Sequence, residues 1–250
     1  MAQYRFATED QDYSDFASGR VLYNLPGQPA LPVRLTSEIY QRSYALWLDA
    51  GGRGPARLYD PCCGAAYHLA VLGLLHGALI KEIYAADIDA TVLKTAVRNL
   101  GLLSLEGMDR RMGTIQAMLA DYHKDSHWEA LASAIRLRTL LANQSHAIPT
   151  HTFQANALAP SPARQEMAGE PVDIALTDVP YGWHSTWQFA GASLPIDPLW
   201  AVLEALQTCL VPAGIVAVIC DKEQKAAHPS YQRLERIRMG KRQAFIFRLI

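Results

Sequence analysis

With 250 residues, 50% of them hydrophobic and 19% charged, the chain is long enough to bury one good core and a small elaboration. Its 23 Lys and Arg nearly balance 24 Asp and Glu, so overall charge gives no sign of a polyanionic partner. No apolar run is long enough to cross a bilayer, and the polar, acidic stretch from Met1 to Asp15 lacks the basic start and apolar centre of a signal peptide; a cytoplasmic protein away from membranes is expected.

The segment from Tyr4 to Pro32 mixes aromatics, Gly and Pro in the manner of an ordered arm. From Arg34 to Leu48 apolar residues recur at helical spacing, and Gly51-Gly52-Arg53-Gly54-Pro55 cannot continue the helix. Arg57 to Asp60 reads as a short buried strand, Pro61-Cys62-Cys63-Gly64 as a tight turn, and Tyr67 to His76 as a helix. A second strand, Glu82 to Asp87, precedes Asp89, which stands at the N-cap position of a helix over Thr91 to Leu100. Residues 103–148 are too many for a connection and, from Leu103 to Asn143, are rich in Ala, Leu, Met and Arg, which predicts a helical insertion. Thr152 to Gln154, Val172 to Thr177 and Gly214 to Cys220 read as further strands, with a helix over Leu199 to Leu210 between the last two. Gln232 to Ile250 reads as a hairpin turning near Met239-Gly240.

Strands alternating with helices require right-handed crossovers and a sheet covered on both faces. The fold class is therefore α/β: a doubly wound, mostly parallel sheet with a C-terminal antiparallel hairpin and a helical insertion. Residues 1–250 form a single domain in this reading, with 1–54 as arm and first helix. Ligands of such a fold bind at the carboxyl ends of the strands.

Two loops stand at such ends. Asp60-Pro61-Cys62-Cys63-Gly64 lacks the G-x-G-x-x-G of dinucleotide binders, but an acid followed by a glycine turn suits a methionine moiety carrying an amine. Asp60, Cys62 and Gly64 are candidate cofactor contacts. Asp87 is placed for ribose hydroxyls and Asn156 for an adenine edge. The sharper signal is Asp178-Val179-Pro180-Tyr181-Gly182 after the fourth strand. Methyl transfer to a planar base nitrogen needs an acceptor for the nitrogen's hydrogen and a surface to hold the base flat. Asp178 with a carbonyl of the Pro180 turn supplies the first, and the Tyr181 ring the second. Trp183 and His184 are candidates to line the base pocket. Between Arg233 and Arg248 six basic residues face one acid, Glu235, and Arg238, Lys241 and Arg242 are candidate phosphate contacts. Cys62, Cys63, Cys209 and Cys220 lack metal-ligand spacing, and adjacent cysteines bridge poorly, so reduced thiols and no metal are expected. Cys62 and Cys63 have no base beside them that would make either a nucleophile.

In this order the motifs resemble the avilamycin-resistance family of methyltransferases, which methylate a guanine base in large-subunit ribosomal RNA with S-adenosylmethionine. The resemblance runs through Tyr4-Arg5-Phe6-Ala7, Ser18-Gly19-Arg20-Val21, Pro32-Val33-Arg34-Leu35, Asp60-Pro61-Cys62-Cys63-Gly64, Val71 to His76, and Leu176-Thr177-Asp178 with Pro180-Tyr181-Gly182. It implies a Rossmann-like class I methyltransferase, S-adenosylmethionine as cofactor, a ring nitrogen of guanine as acceptor, and a monomer that binds large-subunit ribosomal RNA. It also implies that the arm, with Arg20 and Arg34, and the insertion embrace cofactor or RNA. Two departures stand out: Asn156 where the family has an acid near the adenine, and Ala65-Ala66 in place of a Gly-type turn. The Asp-x-Pro-Tyr element also serves exocyclic-amine methylation of other RNA or DNA, which stays open. A non-catalytic cofactor-binding RNA module is the remaining alternative, and the intact Asp178, Pro180 and Tyr181 set argues against it.

Overall fold

The computed structural model describes residues 4–27, 30–180 and 197–250. Seven strands form one sheet: β1 (Ala56–Asp60), β2 (Ile80–Asp87), β3 (Thr150–Gln154), β4 (Val172–Asp178), β5 (Leu210–Asp221), β6 (Tyr231–Met239) and β7 (Arg242–Leu249), in the order β3-β2-β1-β4-β5-β7-β6. The first five run parallel, β7 is antiparallel to β5, and β6 closes the edge as a hairpin with β7. The chain builds outward from β1 to β2 and β3, then returns to lay β4 on the opposite side of β1. That reversal opens a crevice beyond the carboxyl ends of β1 and β4.

Because successive side chains in a strand point to opposite faces, residue parity assigns each one to a layer. Leu58, Ile174, Leu176, Ala217, Ile219 and Ala244 pack on the face covered by α1 (Val33–Asp49) and α2 (Tyr67–His76). Tyr59, Ala175, Val216, Val218 and Phe245 pack on the other, against α7 (Pro198–Leu206). Continued to the strand ends, the same parity sends Asp60, Asp178 and Arg242 to the face of α1 and α2. Their convergence follows from strand pairing.

The insertion is a helical hairpin, α4 (Leu105–Tyr122) and α5 (Asp125–Ala142), entered from α3 (Ala90–Gly101). Ser104 caps α4 by accepting from Gly107 N at 3.0 Å, and Asp89 caps α3 by accepting from Thr91 N at 2.7 Å. Two boundaries differ from the sequence reading. Helix α7 stops at Leu206 and β5 begins at Leu210, because Leu210 pairs with Val172 before a register shift, with Ala213 at φ 60° in between. A short helix over Pro160–Glu166 (α6), with proline in its first turn, lies where no element is expected.

Candidate active site

The floor of the crevice is the loop after β1. Asp60 Oδ1 accepts from Cys62 N at 2.9 Å, Cys63 N donates to Ala86 O at 2.8 Å, and Gly64 N donates to Asp87 Oδ2 at 2.9 Å. The turn is thereby tied to the end of β2. Gly64 and Ala66 both have φ 52°, in the left-handed region. Ala66 adopts there a conformation that costs an L residue about 1–2 kcal/mol, where a Gly-type residue is expected from the family pattern. Burial raises the Asp87 pKa, and the amide donors of Asp89 and Gly64 pull it partly back. Burial also pushes the Cys62 and Cys63 thiols far up, so neither is a thiolate nucleophile at neutral pH.

Beside this loop stands a cluster of charged groups. His68, in the first turn of α2, places Nε2 2.8 Å from Asp60 Oδ2, and Asp60 is wholly buried. The approach makes an ion pair but is not aligned as a hydrogen bond, so both atoms are buried without a hydrogen-bond partner among the described residues. Burial lowers the imidazole pKa, yet the Asp60 and Asp178 carboxylates outweigh it and the net shift is upward. Asp178, at the end of β4, has Oδ1 buried and without a hydrogen-bond partner among the described residues, and Oδ2 3.9 Å from Arg242 Nη1. Burial pushes its pKa up to about 6, with Arg242 and His68 pulling the other way.

The arm forms the roof. Ser18, Tyr23, Leu25 and Leu31 face Gly64, His68 and Asp178 across a cleft of about 540 Å³ that opens to solvent. Fully buried Asn99 accepts from Tyr23 N at 2.8 Å and donates to Tyr23 O at 3.1 Å and Ala65 O at 2.9 Å, clamping roof to floor. The guanidinium groups of Arg98 and Arg111 lie 3.7 and 4.4 Å from the Tyr23 ring centroid. From the insertion, Arg111 also donates to Val21 O and Arg20 O, Arg136 pairs with Asp15, and Glu129 pairs with Arg20. The insertion therefore carries the arm.

Cys62, Gly64 and Asp178 line the cleft, Asp87 braces its loop, and Arg242 backs Asp178. Asp60 lies beneath the surface and acts on the cleft through His68. Asn156 sits past β3 with Oδ1 accepting from Leu158 N at 3.0 Å, a local turn. Arg20 is paired with Glu129, and Arg34 donates to Ala7 O and Thr8 O and meets Asp10, so both guanidinium groups hold the arm. Arg238 and Lys241 are exposed on the β6–β7 hairpin, and Pro180 lies two residues past the end of β4, after Val179. Tyr181, Trp183 and His184 lie outside the described residues. Sequence reasoning missed His68 and Asn99. Its one available signal for His68 was a histidine in the first turn of an otherwise apolar helix, eight residues after the loop acid.

A buried Asp178 oxygen that has no hydrogen-bond partner among the described residues, beside a left-handed glycine and the His68–Asp60 ion pair, fits a small charged cofactor. Among the described residues, no group of three or more His, Cys, Asp or Glu side chains is arranged to hold a metal. The family described as rRNA methyltransferase AviRa matches residues 2–242. The chain is 38% identical over 248 residues, 99% of its length and 96% of the relative's, to a 23S rRNA (guanine(2535)-N(1))-methyltransferase of Streptomyces viridochromogenes. Two solved structures of the rRNA methyltransferase aviRa from Streptomyces viridochromogenes superpose with TM-scores of 0.87 and 0.88 at 38% and 37% identity, each over 98% of this chain and 96% of theirs.

Proposed function

This chain belongs to the rRNA methyltransferase AviRa family, and from that premise we propose that it methylates N1 of a guanine in large-subunit ribosomal RNA, using S-adenosylmethionine. The relative's stated reaction supports the base, the atom and the RNA. One observation in this chain carries the chemistry: a carboxylate oxygen of Asp178, buried and without a hydrogen-bond partner among the described residues, where the cleft floored by Gly64 meets the end of β4.

S-adenosylmethionine, bound across the ends of β1, β2 and β3, supplies an electrophilic methyl group. Gly64 and Cys62 form the floor of that subsite, Asp87 serves the ribose, and Asn156 serves the adenine. Neutral guanine carries a proton on N1 and delocalises the nitrogen's electron pair into the ring. N1 becomes a nucleophile only as that proton leaves. Asp178 is the group that accepts it: with its pKa pushed up to about 6, it is ionised at neutral pH yet more basic than an ordinary carboxylate. The Pro180 turn fixes the backbone after Asp178, and Tyr181 holds the extruded base flat by stacking. Most of the acceleration is positioning of nitrogen, base and methyl group. Exposed Arg238 and Lys241 on the hairpin, with Arg242 at its root and Trp183 and His184 beyond Tyr181, contact the RNA. Residues 1–250 work as one methyltransferase unit, a monomer acting in the cytoplasm.

Incubation with methyl-labelled cofactor and deproteinised large-subunit RNA, followed by nuclease digestion and mass analysis, tests the reading. Label in 1-methylguanine is the expected result. Label on the exocyclic amine of guanine or adenine would transfer the activity to the other reaction served by the Asp178-to-Tyr181 turn. Unlabelled RNA from a protein that binds the cofactor would overturn the proposal.

A further inference from the structure

The methionine end of S-adenosylmethionine carries an ammonium, a sulfonium and one carboxylate, so a site that reads it needs acids for the first two and a cation for the third. The walls of the cleft meet that need sparingly. Among the described residues that line it, Asp178 is the one acid and His68 the one side chain that becomes a cation. The nearby arginines are directed elsewhere: Arg111 to the carbonyls of Val21 and Arg20, Arg20 to Glu129, and Arg34 to Ala7, Thr8 and Asp10. Arg242 stands behind Asp178 and does not line the cleft.

We propose that His68 is a cofactor-binding residue: an imidazolium, held by Asp60, that receives the α-carboxylate of the methionine moiety. The inference rests on the reading of this cleft as the S-adenosylmethionine site. Asp60 gives the imidazolium its charge without competing for the ligand, because that carboxylate is buried beneath the loop and does not line the cleft. Among the described residues Asp60 is the sole hydrogen-bond or ion-pair partner of His68, which leaves the second ring nitrogen for the ligand. The groups facing the imidazole are Asp60 from β1 and Asp178 from β4, and both favour its protonated form. An amino-acid carboxylate entering the cleft adds a third anion to a cation already prepared for it. Asp178 is left to face the positive part of the cofactor and the base.

Decarboxylated S-adenosylmethionine, which keeps the sulfonium and ammonium but lacks the carboxylate, is the discriminating probe. Calorimetric titration of the full-length protein should show S-adenosylmethionine binding about ten- to a hundredfold tighter than the decarboxylated compound near pH 6, the range for a hydrogen bond to a charged group. Because the Asp60 and Asp178 carboxylates hold the His68 pKa above the ordinary imidazole value against burial, that preference persists past the pH at which a free imidazole loses its proton and fades only as pH rises further. His68→Gln should lose the preference at every pH while binding the decarboxylated compound as before. His68→Lys should restore it and make it insensitive to pH over this range. A wild-type preference that is absent, or that does not change with pH, overturns the inference without any substitution. So does a His68→Gln protein that keeps the preference. Wild-type protein that binds neither S-adenosylmethionine nor S-adenosylhomocysteine would instead refute the cofactor reading itself.

Discussion

Two clusters of buried charge sit on the same face of the sheet and are built on opposite plans. Around Glu38 in α1, every oxygen is engaged: the carboxylate accepts from the backbone N–H of Arg5, Phe6 and Ala7 at 2.6 to 2.9 Å and from Arg42 Nε at 2.7 Å. Arg42 in turn pairs with Glu235 of β6 at 2.7 Å, and Glu235 with Arg5 at 2.9 Å. Around Asp178, among the described residues, one carboxylate oxygen has no hydrogen-bond partner and the other meets a distant guanidinium at 3.9 Å. Burial raises the pKa of both acids. For Glu38 the donors more than cancel it and the net shift is downward, whereas for Asp178 it wins and the value reaches about 6. A saturated cluster holds structure, and an unsaturated one keeps its basicity for a ligand.

The contrast breaks most visibly at Asp178. Asp178→Asn keeps the shape and removes the proton acceptor, so the single-turnover methyl-transfer rate on RNA should fall by about 10²–10⁴-fold. Thermal stability should hold or rise. A carboxylate whose pKa is raised by folding stabilises the fold only while protonated, and that contribution is lost as pH rises through about 6. A variant that melts lower and transfers methyl groups normally would invert the assignment of the two clusters.

Glu38→Ala should do the reverse. It removes one of the acid partners of Arg42, which keeps Glu235, and leaves three amide donors without their acceptor, for a loss of about 3 kcal/mol in denaturant unfolding, while the folded fraction keeps its transfer rate. The pH dependences separate the clusters further. Glu38's lowered pKa contributes stability above its ordinary value of 4.5 that disappears as pH falls, so the wild-type protein should lose more stability on acidification than Glu38→Ala does. Transfer rate should climb as pH rises toward about 6 and then flatten, and Asp178→Asn should lose that rise. The smallest effect belongs to the rim of the saturated network. Arg5 is 58% exposed where it meets Glu235, and Arg5→Ala should cost less than about 1 kcal/mol, less again in high salt.

The same two clusters show what could be read from the chain. Glu235 appears in sequence as the lone acid of a basic stretch and so as a local reduction of its charge. In the fold it is the partner of Arg42, 193 residues away. Arg20 and Arg34 are implied as contacts to cofactor or RNA by the family resemblance, and no spacing along the chain points to that role. The structure engages both in holding the arm. Asp60, Gly64, Asp87 and Asp178 were legible because each ends a strand or opens a turn, and their positions along the chain already carry the geometry.

What the sequence determined by itself was the order of elements, the hairpin, the helical insertion and the loops at the carboxyl ends of β1 and β4. Those follow from apolar periodicity, caps and turn residues acting over a few positions. Tertiary structure alone decided that Asn99 clamps the arm to the floor, that Asp60 and His68 meet as an ion pair beside the cleft, and that Glu38 is saturated while Asp178, among the described residues, is not. Such pairings depend on which faces meet across the sheet, and periodicity along one element holds no information about a partner on another.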